Sequence, residues 1–262
     1  MARNSASDAC VTGVMRFAAF LLSLLCAAST ARADTLADVL ATLSRFVGKQ
    51  PIRASYAIVS NSTYSGRFAN NQGSSEIAVE VSRSVNGVSV TIPLALLERA
   101  SDETRAHSGS FRNEMRNRIG GVSPLAAAEG LNFAPSLTGI LRIGRTTDER
   151  RESRDGRLVR RLILQITQPM TKNEGIEIGE VKTSEDRMTL WIDDDNVPLA
   201  AHRTRKTQAG FLFFHGDAAE DDDWVFAPLG DSLVLARFEH SSSVSGMGQK
   251  GNGKSVHTMT VH

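Results

Sequence analysis

The sequence predicts an α+β fold: a strongly curved antiparallel sheet, an unclosed β-barrel of about eleven strands, with an N-terminal helix and a central helical insertion over about residues 93–141. Three observations predict it. Stretches of period-two hydrophobic alternation recur at roughly 8–15-residue intervals along most of the chain. Turn-forming pairs such as Asn86-Gly87, Asp155-Gly156 and Gly230-Asp231 fall between them. Helical periodicity is clearest at Thr35–Gly48 and in the central insertion. Many short strands joined by tight turns suit a curved sheet or barrel, whereas a parallel α/β sheet would alternate strands with helices throughout.

The first 33 residues stand outside this pattern. Phe17–Ala28 is an apolar run preceded by Arg16 and followed by Ala31-Arg32-Ala33, the small-x-small sequence that signal peptidase cuts. It is shorter than the about 20 apolar residues that cross a bilayer as a helix. Residues 1–33 are therefore read as a cleavable secretory signal, and residues 34–262 as a single half-barrel domain exported to the periplasm. Export follows whether translation starts at Met1 or at Met15, where Met15-Arg16 makes a compact basic start. Both cysteines, Cys10 and Cys26, leave with the signal, so the mature chain is expected to hold no disulfide and no thiolate metal site. Leu25 before Cys26 argues against a lipid anchor, which requires a small residue there. Cleavage takes the 30 basic and 29 acidic side chains to 27 and 28, a balance with no electrostatic preference for nucleic acid.

In the mature chain, Leu36, Val39, Leu40, Leu43, Phe46 and Val47 form one face of the first helix, with Asp34 or Thr35 to cap it and Gly48 to stop it. After Pro51 the period becomes two, through Ile52, Ala54, Tyr56 and Ile58. A turn is expected at Asn70-Asn71-Gln72-Gly73; Ile77, Val79 and Val81 then alternate up to the Asn86-Gly87 hairpin. Pro93 opens a helix carrying Leu94, Leu96, Leu97 and Ala100, and a polar helical stretch ends at Gly120-Gly121. Ser123-Pro124 opens a third helix through Ala128, and Leu137–Leu141 forms a fourth. This insertion either covers one face of the sheet or forms a lid. Further strands are expected at Leu158–Thr167, Ile176–Lys182, Met188–Ile192, Leu199–Thr207, Phe211–His215, Trp224–Phe226, Leu233–His240 and Ser255–His262, with a turn at Asp194-Asp195-Asn196.

Gly248–Ser255 satisfies the phosphate-loop pattern GxxxxGK[ST], and GxGxxG overlaps it from Gly246. Both patterns hold phosphate at the N-terminus of a helix. Only seven residues follow Ser255, and Val256, Thr258 and Thr260 alternate with His257, Met259 and Val261 as a strand does. A glycine-rich hairpin is the better reading. The eight arginines of Arg142–Arg161 are interleaved with Asp148, Glu149, Glu152 and Asp155 around the Asp155-Gly156 turn, which reads as a solvated hairpin rather than a polyanion groove. Glu220–Asp223 and Asp193–Asp195 read as acidic turns without calcium-loop spacing. The histidines show no zinc-type pairing at helical spacing, although His202, His215 and His240 lie on strands that could be neighbours. No catalytic residue, metal-ligand set or cofactor is nominated.

Phe211-Leu212-Phe213-Phe214 places bulk on both faces of one strand. With Tyr56, Ile58, Trp191, Trp224 and Phe226, residues Phe211 and Phe213 are nominated to line an apolar cavity for a lipid or acyl chain. The competing reading is a core consumed entirely by sheet–helix packing.

The segment Met188–Leu199, MTLWIDDDNVPL, resembles the hairpin of periplasmic lipoprotein-carrier and outer-membrane lipoprotein-receptor proteins, in which an LWID strand turns into one opening with PL. Arg154-Asp155-Gly156-Arg157 before a strand resembles a second hairpin of that superfamily, and the order of elements is similar over most of the mature chain. The resemblance implies an unclosed barrel wrapped around helices with a cavity for acyl chains, and no catalytic residue. The expected function is thus a soluble exported binding or carrier protein for an apolar ligand or lipoprotein, not an enzyme. The alternatives are an envelope interaction protein with no ligand, and a hydrolase whose histidines and acids converge only in the fold.

Overall fold

The computed structural model describes residues 35–66, 70–106, 119, 122–167, 180–211, 214–246 and 248–262. The strands are β1 (Ile52–Gly66), β2 (Asn70–Ser84), β3 (Gly87–Thr91), β4 (Gly144–Arg154), β5 (Arg157–Ile166), β6 (Glu180–Ile192), β7 (Pro198–Phe211), β8 (Phe214–Leu229), β9 (Ser232–Gly246) and β10 (Gln249–Val261). The helices are α1 (Thr35–Leu43), α2 (Leu94–Ala106), α3 (Pro124–Leu131) and α4 (Ala134–Arg142). The strands form one antiparallel sheet in the order β3-β2-β1-β10-β9-β8-β7-β6-β5-β4, curved and unclosed, because the outer strands β3 and β4 do not pair. The chain runs outward from β1 to β3, passes through the helices to the opposite edge at β4, and returns strand by strand until β10 pairs with β1. The helical insertion is therefore the connection between the two edges.

Local chemistry accounts for most boundaries. Asp155 (φ 50°) and Gly156 (φ 76°) make the left-handed pair that joins β4 to β5, and Ser84 pairs with Gly87 (φ 114°) across the predicted Asn86-Gly87 turn. Ser123 caps α3 by accepting from the Ala126 N–H at 3.1 Å, with Pro124 at the first turn. Helix α1 stops five residues before Gly48: Ser44 Oγ donates to Ala41 O at 2.6 Å, and the Arg45 and Phe46 N–H groups donate three residues back, which tightens the last turn. Gly48 (φ 66°) instead donates its N–H to Asp231 O at 2.8 Å, tying the α1–β1 connection to the β8–β9 turn.

Among the described residues ten strands stand where about eleven were expected, and the difference has a physical cause. Met188–Ile192 belongs to a longer β6 beginning at Glu180, residues 176–179 of the separately expected strand lying outside the described residues. Phe211–His215 and Trp224–Phe226 are joined differently: Phe211 ends β7, and Phe214 through Phe226 lie in the continuous β8. Glu220–Asp223, expected as a turn, is the middle of β8 because its carboxylates face Arg205, Arg203 and His202 of β7 and His240 of β9. Cross-strand partners of opposite charge turn an unpromising strand sequence into a stable one. Asn70–Gly73 is likewise not a turn but the start of β2, with Asn70 opposite Ser65. The polar helix ending at Gly120-Gly121 falls outside the described residues except for Ile119.

Two apolar clusters fill the space between helices and sheet. Val39 and Leu43 of α1 and Leu137 and Leu141 of α4 pack on Leu162, Leu164, Met188, Leu190 and Ile192; Ala127 and Leu131 of α3 pack with Ile52, Ala54, Ile77, Val79 and Met259. Each fully buried Leu or Ile contributes about 1.5–3 kcal/mol. Asn132, between α3 and α4, donates to Phe46 O at 2.9 Å and accepts from the Leu233 N–H at 3.1 Å, fixing the helix pair to both the α1 connection and β9. Among the described residues no helix is long and apolar enough to cross a membrane.

Candidate ligand site

Strand register sorts the helix-covered inner face of the sheet into rows. One row runs Leu162, Leu190, Ala201, Trp224, Phe238, His257, Ile58, Ile77 from β5 to β2 by way of β10 and β1, and is apolar except for His257. The next row, two residues along each strand, runs Leu164, Met188, Arg203, Asp222, His240, Ser255, Ser60, Ser75, and is polar from Arg203 onward. Alternation puts both rows on the same face.

Above the apolar row, between α3 and the sheet, lies a cleft of ≈ 300 Å³ lined by Tyr56, Ala126, Glu129, Gly130, Phe133, Trp224, Leu235, Phe238 and His257. Its aromatic wall is continuous: Phe133 lies 6.3 Å from Trp224, Trp224 stacks on Phe238 at 5.9 Å and 13°, and Phe238 meets His257 at 5.3 Å. Offset and edge contacts at such distances are favourable geometry for aromatic rings. Gly130 lets the Met259 side chain pack directly on α3, where an added Cβ would stand 2.7 Å from Met259 Cε.

The polar groups of the cleft are few and linked. Tyr56 Oη lies 2.6 Å from His257 Nδ1, and His257 Nε2 lies 3.2 Å from Ser255 Oγ, the first serine of the polar row. Burial pushes the Tyr56 phenol up to about 12, and the negative Glu129 across the cleft adds to the rise, so Tyr56 is a neutral hydrogen-bonding group at ordinary pH. Beyond it, His240 Nδ1 lies 2.7 Å from Asp222 Oδ1, and Asp186, only 2% exposed, is held by two bonds of 2.7 Å from the Arg203 guanidinium. The bond to Asp186 raises the Arg203 pKa against the lowering effect of burial, with the charges of Asp222 and Glu220 in support. Arg205 is paired with Glu220.

Of the residues nominated from sequence, Tyr56 and Trp224 line the cleft, Phe226 stacks on Phe133 at 5.7 Å behind its wall, and Ile58 packs at the edge of the second apolar cluster. Phe211 ends β7 opposite Phe214, away from the cleft along the strand, and Phe213 lies outside the described residues. Trp191 is on the outer face: it alternates with buried Leu190 and Ile192, donates its indole N–H to Glu152 at 2.7 Å, and carries the Arg154 guanidinium 4.0 Å above its ring. The three histidines do not converge. His202 is bonded to Asp223 on the outer face, His240 to Asp222 on the inner face, and His215 is exposed near the start of β8. Among the described residues no cluster suited to a metal ion occurs.

Leu235, Phe238 and Phe133 were not nominated. Odd spacing hid the first two: a register shift at Val225/Phe226 absorbs Ala236, so Leu235 and Phe238 share a face that simple alternation would split. Phe133 sits at the joint before α4, where no periodicity marks it.

Comparison with known proteins gives little. No family model and no curated protein matches the chain. The crystal structure of MucB in complex with MucA(peri) is similar at 10% identity over 85% of this chain and 93% of that chain, with a TM-score of 0.18, a likeness too slight to carry an argument about fold or function.

Proposed function

We propose that the protein is an exported binding or carrier protein that shelters an apolar ligand, a lipid or the acyl chain of a lipoprotein, in the cleft between α3 and the sheet. The observation that carries this reading is the cleft itself: ≈ 300 Å³ walled by Phe133, Trp224, Leu235 and Phe238, with Tyr56, His257 and Glu129 as its polar groups. That volume is at the lower end of ligand sites, about 300–1,000 Å³, and a mostly apolar wall with a few convergent polar groups is their usual composition. Leu235 and Phe238 of this wall are only half-buried, and apolar surface left open to a cleft is stabilised when something apolar covers it. The reading includes cleavage after Ala33, residence in the periplasm, one half-barrel domain over 34–262, and distant kinship with the lipoprotein-carrier superfamily suggested by MTLWIDDDNVPL.

Native mass spectrometry of protein purified from the periplasm, followed by organic extraction, is the test. Adducts that extract as lipid, and displacement of a fluorescent apolar probe by fatty acyl compounds, are expected. A homogeneous ligand-free mass with no probe binding would overturn the reading and favour a protein whose sheet edges or arginine-rich hairpin meet a partner. N-terminal sequencing, with Asp34 expected first, tests the export step separately.

A further inference from the structure

The rows of the inner face point to the chemistry of the ligand's other end. A face covered only by the protein's own helices would stay apolar along every strand. Here four strands change character at one level: Ala201 gives way to Arg203, Trp224 to Asp222, Phe238 to His240 and Ile58 to Ser60, with Ile77 to Ser75 on β2 as a fifth, while β10 is polar at both levels through His257 and Ser255. The change is continuous with the cleft, because His257 lines it and reaches Ser255 at 3.2 Å, and the Phe238 ring lies 6.2 Å from that of His240.

The charges of this polar band are engaged with one another. Asp186 holds Arg203, Glu220 holds Arg205, and Asp222 holds His240. A pair already satisfied at 2.7 Å gains little by exchanging its partner for a ligand charge, and a ligand ion would lose hydration on entering. Glu129 places a further negative charge at the cleft, against an anionic head. The band offers hydroxyls instead: Ser255 and Ser242, both half-buried, with the Ser60–Ser75 pair, oxygens 3.1 Å apart, buried at the far end of the row. Hydroxyls both donate and accept, which suits another hydroxyl better than a charge.

Resting on the carrier reading above, we propose that the Ser255–His240 end of the inner face is a head-group site for an uncharged, hydroxyl-bearing amphiphile, whose acyl chain lies in the Trp224–Phe238 cleft and whose polyol head lies over Ser255 and Ser242.

Displacement of a fluorescent apolar probe from the purified protein by glycerol monolaurate and by laurate, which share a chain and differ in head, tests it. The glycerol ester is expected to displace the probe at about tenfold lower concentration, the worth of one or two well-placed hydrogen bonds plus the absence of repulsion from Glu129. In Ser255→Val the preference for the glycerol ester should shrink to less than about threefold while displacement by a plain alkane is unchanged. The comparison of the two lipids on the unaltered protein stands even if the variant folds poorly. Equal displacement, or tighter laurate, overturns the head-group site and leaves the carrier reading intact. Displacement by neither lipid overturns the carrier reading, and the head-group site with it.

Discussion

The inner face of the sheet has two halves built from the same strands, and they obey different rules. Under α1 and α4, Leu162, Leu164, Met188, Leu190 and Ile192 are buried against Val39, Leu43, Leu137 and Leu141. A few residues along β6 and β7, Asp186 is as deeply buried, yet it is charged and paired with Arg203. The first half is stabilised by area removed from water and tolerates any well-shaped apolar side chain. The second depends on specific partners, because a buried charge is tolerable only while its counter-charge is present. The difference teaches that the curved face is a joined pair of surfaces, one made to be covered and one made to meet polar groups.

The largest expected effect breaks the polar half. Asp186→Ala leaves the Arg203 guanidinium buried without its partner and should destabilise by about 3–5 kcal/mol, read from the denaturant midpoint. Replacing both, as Asp186→Leu with Arg203→Met, should recover most of that loss. If the single change is harmless, the pair does not organise this half.

Next comes the apolar half. Leu190→Ala removes a fully buried side chain beneath the helices and should lose about 2–5 kcal/mol, whereas Trp191→Ala, one residue away on the outer face, should lose less than half as much. Equal losses would deny the division between faces. Equilibrium unfolding of the two variants in parallel supplies the comparison.

The smallest effect lies where the halves meet. Tyr56 keeps its proton in the folded protein up to about 12, against 10.0 in the unfolded chain, so the folded state binds more protons between those values. Its contribution to stability is fully present below pH 10.0 and declines as pH rises toward about 12. Tyr56→Phe should remove that part of the alkaline decline, seen as a smaller drop in unfolding midpoint across pH 10.0 than in the unaltered protein. An identical decline in both would mean that the phenol is not held by the cleft.

Much of this was legible in the sequence, and the exceptions share a cause. Alternation located Ile52–Ile58, Ile77–Val81 and Met188–Ile192, and turn chemistry located Asn86-Gly87 and Asp155-Gly156, because period and left-handed backbone are properties of neighbours along the chain. The phosphate-loop pattern at Gly248–Ser255 was set aside on the same grounds, and Gln249–Val261 is a strand. Glu220–Asp223 was misread because what makes it a strand lies on β7 and β9. Trp191 and Trp224 both read as bulky apolar residues in strands, and only one of them reaches the cleft.

The sequence by itself determined the fold class, the antiparallel pairing of near neighbours and the apolar face of α1, all of which follow from local period and turn residues. The tertiary structure alone decided that β10 pairs with β1, that the β9 register shift brings Leu235 and Phe238 to one wall, and that five strands turn polar at the same level. Those are matters of register between residues as far apart in the chain as Ser60 and Ser255. A one-residue slip would send each of these side chains to the other face, and only the packed helices and paired charges specify which register holds.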